Sequence, residues 1–326
     1  MSDTPAARIL VTGATGFVGS GVVERLAIAP DREPLLGLRR EPETPPMHAW
    51  AAIGELSPDN DCREALRGCQ AVVHCAARVH VMDDPEADPL TSYRRANVQG
   101  TLNLARQAAQ AGVSRFIFIS SIKVNGESTN ADGSFTADAS PEPGDAYGLS
   151  KFEAEQGLLA LSEETGLEVV IIRPPLVYGP GVKANFASMM RWLSRGVPLP
   201  LGAIHNRRSL VARANLVDLI VICLEHPAAA NQIFLAADGD DLSTTELLRR
   251  LGDALGMPAR LVPAPAALLE LGASLLGKRA VAQRLCGSLC VDIDKTRKVL
   301  GWEPPVSVDQ ALRETAEAYR QSTLPS

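Results

Sequence analysis

Residues 8–29 constrain the fold more than any other stretch of this chain. Arg8-Ile9-Leu10-Val11-Thr12 is a short apolar run of strand character. It leads directly into Gly13-Ala14-Thr15-Gly16-Phe17-Val18-Gly19, and Gly21 to Ala29 then reads as helix. Strand, glycine turn and helix in that order form a dinucleotide-binding fingerprint. Gly13 allows the tight turn, Gly16 lets backbone approach a pyrophosphate, and Gly19 lets helix and strand pack closely. The helix N-terminus offers free N–H groups and the positive end of a dipole to the phosphates. The spacing is G-x-x-G-x-x-G, one residue longer in its first gap than the commoner pattern. A glycine triplet alone also fits an ordinary strand-to-helix turn.

The pattern continues downstream. Strand-like runs at 9–12, 34–38, 49–53, 71–75, 115–120 and 168–173 alternate with helix candidates at 18–29, 62–67, 90–111 and 147–165. Such alternation predicts an α/β fold, a doubly wound parallel sheet with helices on both faces. Gly112 closes the long helix that starts near Leu90. Ligands in this architecture bind beyond the carboxyl ends of the strands, so the loops after Thr12, Leu38, Ile53, Cys75, Ser120 and Arg173 carry the interest. Beyond Arg173 the alternation loosens at Pro174-Pro175 and Gly179-Pro180-Gly181. We read 1–177 as a dinucleotide-binding domain and 178–326 as a smaller cap, with 208–226 partly returning to the first domain.

Composition narrows the partners. A net charge of −6 on 326 residues and a pI near 5.5 argue against a nucleic-acid partner. No apolar run is long enough to span a bilayer, and Met1 to Ala7 lacks the apolar core of a secretion signal. The expectation is a cytoplasmic protein with no membrane partner. The six cysteines include no C-x-x-C, and no two histidines fall at metal-ligand spacing. Neither a disulfide framework nor a metal site is expected.

Chemistry enters at Ala146-Tyr147-Gly148-Leu149-Ser150-Lys151. Residues four apart share a helix face, so an ammonium can sit beside a phenol. A free Tyr has a pKa near 10, and an adjacent cation favours its ionised form. Such a phenol can trade a proton with an alcohol or carbonyl near neutral pH.

The glycine triplet, Tyr147 with Lys151, and Ser120-Ser121 ahead of Val124-Asn125-Gly126 together resemble the extended short-chain dehydrogenase/reductase superfamily, in its NAD-dependent epimerase/dehydratase family. The resemblance extends to Leu300-Gly301-Trp302-Glu303-Pro304. It implies a Rossmann-type first domain, a nucleotide-sugar-binding cap, a UDP-linked substrate and a homodimer. Within the family, Ser120 to Glu127 and Arg173 to Gly181 look like bacterial polysaccharide-precursor enzymes, 4-keto-sugar reductases among them.

Residue by residue, the resemblance makes Tyr147 the acid/base, with Lys151 lowering its pKa and holding the nicotinamide ribose. Ser121 matches the Ser/Thr that hydrogen-bonds the reacting oxygen, although it could instead cap the strand end. Ile122 and Lys123 stand where sugar 4,6-dehydratases carry Asp-Glu, which argues against dehydration. Gly13, Gly16, Phe17, Val18 and Gly19 match the pyrophosphate turn, Glu55-Leu56 the pair along the adenine, and Cys75-Ala76-Ala77 the loop after the fourth strand. Asn97 and Pro174 complete the cofactor set. In the cap, Asn185-Phe186 and Arg208 match segments that meet the nucleotide diphosphate; Pro175 replaces an Asn of the epimerases. His80 stays outside the catalytic set.

Arg39 lies twenty residues after Gly19, where an NAD enzyme normally has an acid for the ribose 2′-hydroxyl. Arg39 and Arg40 instead offer planar donors to a 2′-phosphate, which favours NADP(H) and leaves NAD(H) as the alternative. On that ground the first reading is reduction of a UDP-4-keto-6-deoxy-N-acetylhexosamine. The second is a UDP-hexose 4-epimerase with tightly bound NAD. A third, of another class, is a non-catalytic dinucleotide sensor, disfavoured because Tyr147, Lys151 and Ser121 are all present.

Overall fold

The computed structural model describes residues 6–79, 88–130, 133–275 and 279–323; His80 lies outside them. Seven parallel strands form one sheet: β1 (Ala7–Thr12), β2 (Arg32–Leu38), β3 (Trp50–Ala52), β4 (Ala71–His74), β5 (Arg115–Ile119), β6 (Glu168–Arg173) and β9 (Gln232–Leu235). Their order is β3-β2-β1-β4-β5-β6-β9, which reverses direction between β1 and β4. Crevices form at such a switch point because the crossovers leave it to opposite sides. Strands β7 (Leu176–Tyr178) and β8 (Leu210–Ala212) pair separately.

The central strands are apolar throughout because both their faces are covered. On one face, Val11, Ile117 and Ile172 pack with Val22 and Leu26 of α1 (Phe17–Ala27) and with Leu216 and Ile220 of α7 (Arg213–Glu225). On the other, Leu10, Phe116 and Ile171 meet Leu104 and Ala108 of α4 (Thr101–Gln110) and Ala154 and Leu158 of α5 (Ala146–Thr165). A short helix, α2 (Arg63–Leu66), adds Leu66 to this second cluster. Pro34 is accommodated inside β2 because β3 pairs only with residues 36–38, so no ladder bond is lost on that side.

Two features depart from the pattern read in the sequence. The expected continuous helix from Leu90 is α3 (Pro89–Tyr93), a π-helical turn over Arg94–Gly100, then α4. The seventh strand, β9, is short and follows a long excursion, so no local alternation announces it. After β6 the chain builds a third apolar cluster. It contains Tyr178, Phe186 and Met190 of α6 (Ala184–Ser194), Leu248 and Leu251 of α8 (Thr244–Ala254), and Leu312 of α12 (Val308–Thr323). Helices α9 (Ala266–Leu275), α10 (Arg279–Cys286) and α11 (Asp294–Leu300) complete the order.

Candidate active site

The glycine turn is shaped by contacts as well as by conformation. Gly13 sits at φ +64°, and a Cβ there would fall 2.8 Å from the Ala76 nitrogen. A Cβ on Gly19 would come within 2.2 Å of the Gly13 oxygen. Gly16 caps α1 without a side chain, and the first turn of α1 carries no acid. The N–H groups at this helix end therefore face no competing carboxylate of their own turn, as a pyrophosphate site requires. The residues fit a bound dinucleotide.

Behind the turn, His74 joins two walls of the cleft. Its Nδ1 lies 2.7 Å from Thr12 Oγ1 and its Nε2 lies 3.0 Å from Thr101 Oγ1. Thr12 Oγ1 also accepts the Ala76 N–H at 3.3 Å. The ring stacks on Phe118 with centroids 5.9 Å apart. Burial first, and the Lys151 charge second, push the imidazole down to about 3, so it is neutral and hydrogen-bonded at both nitrogens.

A cleft of about 660 Å³ opens beside the turn and is lined by Gly13, Arg39, Arg40, Glu55, Leu56 and Ala77, among others. Arg39 and Arg40 are exposed and form no ion pair among the described residues. Cys75 and Ala76 close the wall behind Gly13. Asn97 is not turned to the open cleft. Its amide accepts from Arg78 N at 2.8 Å and donates to Arg78 O at 3.0 Å and to Ser150 Oγ at 3.1 Å. It pins the loop after β4 from within the π-helical turn. Pro174 is buried, and its carbonyl accepts from Ile122 N at 3.0 Å.

The reacting end is built where α5 begins. Asp145 caps this helix by accepting from Gly148 N at 2.7 Å. A Cβ on Gly148 would stand 2.8 Å from Lys123 O, so the first turn of α5 abuts the 3₁₀ turn Ile122–Val124. Ser121 caps that turn, accepting weakly from Lys123 N at 3.3 Å, which leaves its hydroxyl hydrogen free to donate. Tyr147 is partly exposed and packs edge-on against Tyr93 at 6.0 Å.

Lys151 does not do what its spacing from Tyr147 implies. Its Nζ donates to Ile119 O at 2.8 Å and lies 4.3 Å from the Phe118 ring centroid. Burial pushes this amine down to about 8, opposed by the Glu155 charge. Tyr147 moves opposite to expectation, up to about 12, first through burial and then through the charge of Asp145. Desolvation disfavours the phenolate, and in this state the ammonium is held by a carbonyl of β5.

Glu155, which motif reading passed over, holds this end together with Arg173, Asn125 and Ser120. Glu155 and Arg173 form an ion pair with side chains each 2% exposed. Arg173 Nε donates to Glu155 Oε1 at 2.9 Å and its Nη1 to Asn125 Oδ1 at 3.0 Å, while Ser120 Oγ donates to Glu155. Glu155 stands four residues beyond Lys151, and that spacing was the available signal.

In the cap, Asn185 is exposed at the start of α6, beside Ala184 at φ +53°. Phe186 departs from its expected substrate role: its ring is 1% exposed and stacks on Tyr178 at 5.5 Å, in the cap core. Arg208 is partly buried. Its Nη1 donates to Arg284 O at 3.0 Å and Gly287 O at 3.1 Å, and it has no carboxylate partner among the described residues. Such a cation can receive an anion.

Two predictions come from these networks. Between pH 6.5 and about 3 the unfolded chain protonates His74 and the folded one does not, so stability falls as acid is added. His74→Gln should remove up to about 1.4 kcal/mol per pH unit from that slope, read by urea unfolding at stepped pH. Glu155→Ala leaves Arg173 buried and unpaired, and should cost about 3–5 kcal/mol of unfolding free energy. Glu155→Leu with Arg173→Met should recover most of that loss, and full additivity of the two changes would contradict the pairing.

The model of the NAD dependent epimerase/dehydratase family matches residues 9–237. The chain is 50% identical over 315 residues to a UDP-glucose 4-epimerase of Vibrio cholerae, covering 96% of each chain. It is 29% identical over 317 residues to a GDP-6-deoxy-D-mannose reductase of Pseudomonas aeruginosa, covering 94% of this chain and 95% of that one. Among solved structures, MoeE5 in complex with UDP-glucose and NAD superposes with a TM-score of 0.76 at 26% identity, covering 98% of this chain and 100% of its own. Matched by that family model over more than two thirds of its length, the chain belongs to the NAD-dependent epimerase/dehydratase family of extended short-chain dehydrogenase/reductase enzymes.

Proposed function

We propose that this protein is a UDP-hexose 4-epimerase that keeps its NAD through the catalytic cycle. The observation that carries this reading is the 50% identity to a UDP-glucose 4-epimerase along 96% of both chains. It reverses the order drawn from the sequence, where Arg39 placed the reductase first. The reductase reading keeps one specific support, the pair Arg39 and Arg40 lining the adenosine cleft without ion-pair partners among the described residues.

Gly13, Gly16, Phe17, Val18 and Gly19 hold the pyrophosphate, and Glu55, Leu56 and the Cys75–Ala77 loop hold the adenosine. Bound there, the nicotinamide supplies reversible hydride transfer at sugar C4. The chain supplies the proton chemistry. Ser121 donates its free hydroxyl hydrogen to the C4 oxygen. Tyr147 takes the C4 hydroxyl proton and later returns it. With its pKa pushed up to about 12 the phenol keeps its own proton and cannot accept another, so base action needs a positive charge nearby to favour the phenolate. Lys151, one turn along the same helix, would provide it, its ammonium being able to leave Ile119 O for a bound ribose. Asn185 and Arg208 bind the diphosphate, leaving the sugar ring free to turn over between the two transfers.

Tyr147→Phe should lower kcat by about 10²–10⁴-fold with the cofactor still bound. Proton NMR of UDP-glucose and UDP-galactose interconversion checks this, and near wild-type turnover would remove Tyr147 from the acid/base role. Cofactor identity separates the two readings. Acid denaturation of the purified protein should release about one equivalent of NAD, and turnover should need no added reductant. Release of NADP, or activity only with NADPH and a 4-keto sugar, would restore the reductase. Arg39→Asp should then shift preference towards NAD(H) by about tenfold or more.

A further inference from the structure

The net charge of −6 conceals a strong segregation. Residues 183–213 contain Lys183, Arg191, Arg195, Arg207, Arg208 and Arg213 and no acid, and residues 254–291 contain four basic residues and one acid. Together they hold ten of the 32 Lys and Arg and one of the 38 Asp and Glu, in a fifth of the chain. The two stretches are joined: Leu199 N donates to Arg260 O at 2.9 Å, Val262 N donates to Leu199 O at 2.8 Å, and Arg208 bridges to Leu289. Arg207 and Arg213 are paired with Asp241 and Glu24, whereas Lys183, Arg191, Arg195, Arg260 and Arg284 are exposed with no ion pair among the described residues.

The same stretches expose apolar side chains. Seven of the eleven exposed large hydrophobics among the described residues lie here, including Trp192 at 44%, Val262 at 50% and Leu275 at 81%. Leu268, Leu271 and Leu275 are spaced by three and four along α9, so they share one helix face. On the opposite side of α9, Leu269 packs against the cap core. Exposed leucines and a tryptophan carried by the same two joined stretches as these cations match the chemistry of a bilayer interface, where apolar groups enter the acyl boundary and cations meet anionic headgroups. A second copy of this face would set like charges together, and a nucleic-acid backbone gives the leucines nothing to bury against.

We propose that this face of the cap docks on an anionic membrane surface, so that the enzyme works peripherally attached. The test is co-sedimentation of the full chain with vesicles of phosphatidylglycerol and phosphatidylethanolamine, against vesicles of phosphatidylcholine. Binding should be at least about tenfold stronger on the anionic vesicles and should fall away near 0.5 M salt. Arg191→Glu with Arg195→Glu should abolish the preference. Leu271→Ser with Leu275→Ser should weaken binding while leaving turnover of a soluble nucleotide sugar within about twofold of wild type. Equal partitioning to both vesicle types, or none to either, overturns the proposal without recourse to variants. So does unchanged binding by both double variants, or binding to double-stranded DNA with none to vesicles at the same salt.

Discussion

The buried pair between Glu155 and Arg173 is the constraint on which the reacting end depends. Two charges at 2% exposure cannot remain apart, since each alone would carry an uncompensated desolvation cost. Arg173 ends β6 and Glu155 lies on α5, so the bond fixes the helix carrying Tyr147 and Lys151 against the sheet. Through Ser120 and Asn125 the network also reaches both sides of Ser121. The three proposed catalytic residues come from separate segments, and one set of buried hydrogen bonds sets their relative positions. Packing alone would leave α5 freer to slide, because dispersion and apolar burial have little directional preference.

A second network does the same for the cofactor cleft. His74 ties the end of β4 to Thr12, just before the glycine turn, and to the start of α4. Asn97 ties the loop after β4 to the α5 residue Ser150. The two ends of one site are thus linked through α5. Neither residue reaches an open surface, and both act through backbone they hold in place.

The phenol and the ammonium show why spacing is not chemistry. Their i, i+4 relation places them on one helix face, but each then obeys its own surroundings. Burial raises Tyr147, burial lowers Lys151, and Ile119 O holds the ammonium. The epimerase reading makes this a resting state in which the phenol keeps its proton until substrate and cofactor change the local charge. The cap presents the parallel case for net charge, since −6 for the chain coexists with two joined stretches that are basic and expose apolar side chains.

Sequence by itself determined what local rules control. The β1–turn–α1 unit, the alternation of apolar strands with helices, and the Gly112 helix end depend on neighbours within a few residues. The family motifs placed Tyr147, Lys151, Ser121 and the glycines in one chain because their spacings are short and regular. Tertiary structure alone decided what needs partners distant along the chain. It recruited β9 from within the stretch read as cap, buried Phe186 in the cap core, turned Asn97 inward and paired Glu155 with Arg173. No periodicity announces such choices, because each is decided by which polar and apolar groups meet when the sheet closes, and by the cost of leaving any of them buried without a partner.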